Sequence, residues 1–250
     1  MTAEQKIEQE PEKDYIATVD GRWGKCAFFD KDFYIGRSLA HYGEFSPDET
    51  EFVIALAEKA GMDKLVLDIG ANIGAISQAL EVSGFTVEAF EPQPEVYALL
   101  KQNMKGRAHN LALAAKAGVT VMPNMRYDEV NNFGGISIGT SSRSRGSIEV
   151  KVATLDSFNF QNVGLMKIDV EGFEEQVLRG AVETIKRCSP ILYVEDDRVE
   201  KRAGLHKFLQ ELGYRFQLHN PPLFRAKNFF SKAENIWERN IVSHNLVCTK

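Results

Sequence analysis

A chain of 250 residues, 44% hydrophobic and 26% charged, has ordinary globular composition and enough apolar material for one substantial core. Its formal net charge of -5 argues against a nucleic-acid partner, which calls for a basic stripe; the one local cluster, Arg143, Arg145 and Lys151, is thin. Cys26, Cys188 and Cys248 are odd in number and far apart, which argues against a disulfide framework or thiolate metal site and fits reduced thiols in a cytoplasmic protein.

Residues 1–14 read as a disordered leader, polar and without the apolar core of a signal peptide. Residues 15–45 mix aromatics, glycines and charges without a clean period, and read as a small antiparallel lead-in or lid followed by a loop. The main domain then runs over 46–250. It opens on a helix with Ser46 as N-cap, Pro47 at the first helical position, Glu49 completing a capping box, and Gly61 as the stop. Strands are expected at 64–68, 85–91 and 109–113, with helices at 73–83 and 94–104 between them. Right-handed crossovers at these lengths imply a parallel sheet.

The middle is less regular. Strands at 119–123 and 147–154 flank a Gly- and Ser-rich loop and read as an inserted hairpin or flap. The alternation resumes with a strand at 165–170, a helix at 173–187, a strand at 191–195 and a helix at 199–212. Segments 214–219 and 245–249 close the sheet. No apolar run is long enough to span a bilayer.

In an open α/β sheet, ligands sit at the carboxyl ends of the strands where strand order reverses. After the first strand of the domain come Asp68, Gly70, Asn72 and Gly74. Gly70 allows a sharp turn and close approach to a ligand, and Gly74 lets the following helix pack closely. A dinucleotide fingerprint carries three glycines; here an acid leads and Asn72 replaces the middle glycine. An acid there repels a pyrophosphate and suits an ammonium. S-adenosylmethionine has the ammonium and no phosphate. Glu91 ends the next strand, where a carboxylate holds both ribose hydroxyls, each bond contributing about 1.5–3 kcal/mol. Taken singly, Asp68 as a helix cap and Glu91 as a solvated strand end are the competing readings.

The runs 66–74 (VLDIGANIG), 90–94 (FEPQP) and 167–174 (KIDVEGFE), with the approach Ile35-Gly36-Arg37-Ser38-Leu39 and Tyr42-Gly43-Glu44, resemble the FkbM family of methyltransferases. The resemblance implies an α/β fold of the class I Rossmann-like methyltransferase type, with seven strands, one of them antiparallel, and helices on both faces. It implies methyl transfer from S-adenosylmethionine to a hydroxyl of a small-molecule metabolite or glycan. It also places Glu44 near the methionine end of the cofactor and Asn110-Leu111-Ala112-Leu113, with Ala112 among them, near the adenine. The chain departs from the family chiefly in the 119–145 region, which is expected to shape the acceptor site.

An alcohol needs a base, or a metal that lowers its pKa, before it attacks a sulfonium. Asp169 and Glu171 follow the strand beside the cofactor loop and are candidate bases, although Glu171 and Glu174 also suit the start of the next helix. His41 is a further candidate base, or a bland surface residue. A divalent metal is the other route, since Glu195, Asp196 and Asp197 follow the next strand and an oxygen-only set suits Mg²⁺. Phe224, Phe229, Phe230 and Trp237 form either a hydrophobic acceptor wall or a self-packed loop. Two other functions stand beside the leading one: a nucleic-acid methyltransferase, whose amino-methylating motif is absent after Ile168, and a non-catalytic module that binds S-adenosylmethionine. The sequence leaves the acceptor and the oligomeric state open.

Overall fold

Short strands that are apolar at nearly every position give this chain a sheet buried on both faces. In a computed structural model, residues 14–140, 145–237 and 239–250 are described. The expected leader up to residue 13, and Arg143 of the basic cluster, lie outside them. The chain begins with an antiparallel hairpin, β1 (Ile16–Gly21) and β2 (Gly24–Phe29), as the lead-in reading expected. The segment after it is a helix rather than a loop, α1 (Ile35–Tyr42). Asp32 Oδ1 accepts from the backbone N–H groups of Tyr34 at 2.9 Å and Ile35 at 2.6 Å, and left-handed Gly43 ends the helix.

The main domain follows as α2 (Pro47–Ala60), β3 (Leu65–Ile69), α3 (Ala75–Val82), β4 (Thr86–Phe90), α4 (Pro94–Asn103) and β5 (Arg107–His109). An inserted sheet comprises β6 (Ala112–Leu113), β7 (Gly118–Pro123) and β8 (Ser147–Ala153), in the order β6-β8-β7. After a short 3-10 turn at Leu155–Phe158 come β9 (Val163–Ile168), α5 (Glu174–Arg179), α6 (Val182–Cys188), β10 (Ile191–Glu195), α7 (Val199–Glu211), β11 (Arg215–His219) and β12 (Asn245–Thr249).

The main sheet has seven strands in the order β11-β12-β10-β9-β3-β4-β5. Only β12 runs antiparallel to its neighbours in it. Val66, Val87, Ala89, Leu165 and Tyr193 pack one face against α2, α3 and α4. Leu67, Ile69, Met166, Ile168, Leu192 and Val194 pack the other against α5, α6 and α7. A strand flanked by helices on both faces has no solvent side, so both sets of alternate residues are apolar.

Three local expectations are corrected. The strand expected at 109–113 divides at Asn110: β5 joins the main sheet, while β6 pairs with β8. Asn110 holds the bend, donating from Nδ2 to the carbonyls of Glu91 at 3.0 Å and Pro92 at 3.1 Å. The helix expected at 173–187 breaks at Gly180, where a Cβ would lie 2.2 Å from the carbonyl oxygen of Ala114. Asp156 then caps the second piece through the N–H groups of Glu183 and Thr184. Ser46 stands at the N-cap position before Pro47, but its side chain makes no capping bond and the capping box does not form. Its backbone is left-handed at φ 39°, and its hydroxyl donates to Glu49 Oε2 at 2.8 Å. All three cysteines are free thiols. No helix among the described residues is long and apolar enough to cross a membrane.

Candidate active site

Strand order reverses between β3 and β9: the chain goes from β3 outward to β4 and β5, then returns to β9 on the other side. A cavity of about 380 Å³ opens at that reversal, on the carboxyl ends of β3, β4, β9 and β10. Its size falls in the range of small-molecule sites.

The floor is the turn after β3. Gly70 has φ +81°, and a Cβ there would lie 1.7 Å from the carbonyl oxygen of Asp169, so only glycine fits. Asn72 is also left-handed, at φ 51°, a conformation that Asn tolerates better than most residues. At Gly74 a Cβ would meet Leu100 at 2.7 Å; this glycine serves the packing of α3 against α4 and does not line the cavity.

Asp68, Gly70, Asn72, Glu91, Ala112, Asp169 and Glu171 all line it. Asp68 is fully buried. Its Oδ2 accepts from Ser77 Oγ at 2.6 Å, while Oδ1 has no hydrogen-bond partner among the described residues. Lys167 Nζ lies 3.6 Å from that oxygen. Glu91 is buried too, accepting from Asn72 N at 3.1 Å and Gln93 N at 2.8 Å. Burial pushes its pKa up to about 7; the two N–H groups oppose the rise and Asp68 adds to it.

At the other end, Lys167 Nζ donates to Asp169 Oδ2 at 3.2 Å. Burial works against the Lys167 charge, but Asp169, Asp68 and Glu49 outweigh it and raise its pKa. Glu171 is left-handed at φ 56° and pairs with Arg198. Burial, then Asp169, moves Glu171 up to about 7 against the pull of Arg198. Burial, followed by the charges of Asp169, Glu171, Asp197 and Glu174, moves Glu195 up to about 11. One ligand atom from each of Asp169, Glu171 and Glu195 lies within 4.8 Å of the others. Asp196 turns away to Arg202 and His206. Glu174 accepts from the N–H groups of Val170 and Gly172, bracing the turn before α5.

His41 and Glu44 are not among the cavity-lining residues. Glu44 is buried on the far side of α1, accepting from Phe229 N at 2.9 Å and Arg22 Nη1 at 3.1 Å. It ties the 220–244 loop to the hairpin. Phe224, Phe229, Phe230 and Trp237 pack in that loop and also stay out of the lining; Leu223, Ile241, Val242 and Ser243 supply its wall instead. The flap adds Met122, Ile136 and Ile138. Sequence reasoning missed Glu49, which the Ser-x-x-Glu pattern disguised as a cap. It also missed Lys167, whose placement two residues before Asp169 was the available signal.

A seven-stranded sheet with one antiparallel strand, and a cavity at its reversal point, define a class I Rossmann-like methyltransferase fold. The methyltransferase FkbM domain matches residues 68–216, and the chain belongs to that family. Among curated relatives, the hexuronic acid methyltransferase AglP of Haloferax volcanii is 28% identical over 170 residues, covering 63% of this chain and 64% of that protein. The 31-O-demethyl-FK506 methyltransferase FkbM of Streptomyces tacrolimicus is 31% identical over 152 residues, covering 46% of this chain and 58% of that one. This chain therefore spans less than two thirds of either relative's length. Among solved structures, methyltransferase FkbM from Methylobacillus flagellatus KT matches with a TM-score of 0.50 at 15% identity, over 74% of this chain and 43% of that one. A tRNA (uracil-54, C5)-methyltransferase of Pyrococcus abyssi in complex with S-adenosyl-L-homocysteine gives 0.51 at 10% identity, over 94% and 44%. Those two share the fold.

Proposed function

We propose that this chain is an S-adenosylmethionine-dependent O-methyltransferase acting on a hydroxyl of a small molecule or glycan. The observation that carries the reading is the buried Asp68 oxygen, which has no hydrogen bond among the described residues and only the Lys167 ammonium 3.6 Å away, on the cavity that Glu91 also lines. An unsatisfied buried carboxylate oxygen is costly unless a ligand completes it, and an ammonium does so. Lys167 is the lone Lys or Arg among the described cavity-lining residues and is engaged by acids, which disfavours a pyrophosphate. Glu91 accepts from the ribose hydroxyls, and Leu111 to Leu113 flank the adenine. The names of the two curated relatives, one a hexuronic acid methyltransferase and the other a 31-O-demethyl-FK506 methyltransferase, favour a metabolite or glycan acceptor.

S-adenosylmethionine supplies a methyl group made electrophilic by its sulfonium. The protein's part is to align the acceptor, which can lower the barrier by up to about 7–11 kcal/mol, and to take its proton. Asp169 is the group for the second task. Its side chain is 36% exposed, at the cavity, and Lys167 orients one of its oxygens. Glu171 is committed to Arg198, and burial with four neighbouring acids raises the Glu195 pKa and disfavours its charged form.

The test is incubation with methyl-labelled cofactor and fractionated metabolites, glycans and RNA. Label in a small molecule or glycan, located on an ether oxygen by mass spectrometry and NMR, supports the proposal. Label in RNA, or as an alkali-labile ester, contradicts it. Tight cofactor binding without transfer to any fraction supports a binding module.

The approach of Asp169, Glu171 and Glu195, with Glu195 Oε2 unpartnered, favours a second reading of the same end. Those three carboxylates would hold a divalent cation, which would lower the pKa of the acceptor hydroxyl. Activity unchanged by exhaustive chelation assigns the step to Asp169 alone; activity lost to chelation and restored by Mg²⁺ assigns it to the cation.

Cofactor affinity should also depend on pH through Glu91. In the free protein its pKa of about 7 lies above the unfolded value. The folded state therefore holds the extra proton between the ordinary carboxylate range and 7, and the Glu91 contribution to stability declines as pH rises through that window. Ribose hydroxyls donating to the carboxylate favour its ionised form. Affinity for S-adenosylhomocysteine therefore rises between about pH 6 and about pH 8, and calorimetry finds that rise abolished in Glu91→Gln.

A further inference from the structure

Lys167 stands where the donor end and the reacting end of the cavity meet. Asp68 and Lys167 are register partners on β3 and β9, so their side chains leave the same face of the sheet. Asp169 lies two residues on and continues the ladder, its N–H donating to the Ile69 carbonyl at 3.0 Å. The Lys167 ammonium is thus shared, 3.2 Å from Asp169 Oδ2 and 3.6 Å from Asp68 Oδ1, with its side chain only 4% exposed. A buried ammonium with two carboxylates has no water to screen it. Whatever one acid gives up in pairing with it, the other gains.

On the function proposed above, these two carboxylates face different partners: Asp68 the ammonium of the methyl donor, Asp169 the hydroxyl of the acceptor. We infer that Lys167 is a positioning residue that couples the donor and acceptor halves of the cavity by dividing one charge between Asp68 and Asp169. When Asp169 holds Lys167, the Asp68 oxygen that lacks a hydrogen bond among the described residues keeps its negative potential for the donor's ammonium. Where an uncharged residue replaces Asp169, Lys167 turns to Asp68 and competes with that ammonium. Coupling of this kind is reciprocal, so the donor's presence also strengthens the hold of Lys167 on Asp169.

The experiment compares two ligands by calorimetry: S-adenosylhomocysteine, and 5′-methylthioadenosine, which keeps the adenosine and lacks the amino-acid end. Asp169→Asn is nearly isosteric at a partly exposed position and should fold. It is expected to weaken S-adenosylhomocysteine about 5- to 20-fold, within the usual range of site-to-site coupling, and 5′-methylthioadenosine by less than about twofold. In a Lys167→Met background, Asp169→Asn should no longer matter, the non-additivity of residues that act through each other. Should Lys167→Met not fold, Lys167→Gln removes the charge while keeping a donor, and serves the same arm. Equal losses for both ligands, no loss for either, or a loss that persists without Lys167 overturns the coupling. Wild-type protein that binds neither ligand overturns the donor site itself, and the coupling with it.

Discussion

Glu91→Ala weakens S-adenosylhomocysteine by about 100- to 1,000-fold, with little change in thermal stability. Two charge-assisted bonds to ribose hydroxyls at about 1.5–3 kcal/mol each give at least about 3 kcal/mol. The carboxylate has a second task, since it accepts from the N–H groups of Asn72 and Gln93 and thereby shapes the turn that meets the ligand. Stability responds weakly because this carboxylate is buried at a cost in the free protein, as its raised pKa of about 7 records. Binding collapses while the fold stays. A dissociation constant within about threefold of wild type, measured by calorimetry, removes Glu91 from the ribose.

Gly70→Ala is the second large effect, and here the fold itself suffers. The backbone at φ +81° costs a side-chain-bearing residue about 1–2 kcal/mol. The added Cβ would also sit 1.7 Å from the Asp169 carbonyl oxygen, a backbone atom that cannot swing aside. Together these give about 3–5 kcal/mol, or a fall in Tm of roughly 6–20 °C for a chain of this size. Gly84→Ala is the control. It shares the left-handed backbone, at φ +95°, but its Cβ would find Met62 at an ordinary 3.5 Å. Differential scanning calorimetry should show the Gly84 variant losing much less. Equal losses at the two positions would falsify the close-packing argument.

The same contact shows which parts of the molecule could be read from the amino-acid sequence. Strand and helix positions after residue 46 follow from apolar runs and glycine stops, which are local signals. The donor turn was legible for the same reason: Asp68, Gly70 and Asn72 are contiguous, and Glu91 lies one strand on. Helix α1 had its signals as well, in Asp32 before it and Gly43 after it, but the aromatics between them obscured the period. What local patterns do not carry is the register between distant strands. That register alone puts Lys167 beside Asp68. It also makes Glu195 a neighbour of Asp169 and Glu171 while turning Asp196 toward Arg202.

Packing also sets the surroundings of two side chains that a local pattern, for Glu49, and the family resemblance, for Glu44, placed differently. Ser46 and Glu49 have the spacing of a capping box. The left-handed backbone of Ser46 turns the pair into a side-chain bond instead, and Glu49 reaches the cavity with Tyr193 OH at 3.3 Å. Glu44 follows the Tyr42-Gly43 turn and is buried outside the cavity lining, where Arg22 and Arg225 neutralise it. Its carboxylate holds the 220–244 loop through Phe229 N and Arg225, and that loop, through Leu223 and Ile241, lines the cavity. Neither assignment follows from spacing, because both depend on what α1 and α2 meet after they pack.

On the proposed function, the cavity takes a phosphate-free, ammonium-bearing adenosine ligand. Calorimetric titration of the intact protein with S-adenosylhomocysteine beside NAD⁺ decides this. The structure predicts saturable binding of S-adenosylhomocysteine at one site per chain and no heat from NAD⁺, whose pyrophosphate would face Asp68. Saturable binding of NAD⁺ with none of S-adenosylhomocysteine would contradict it.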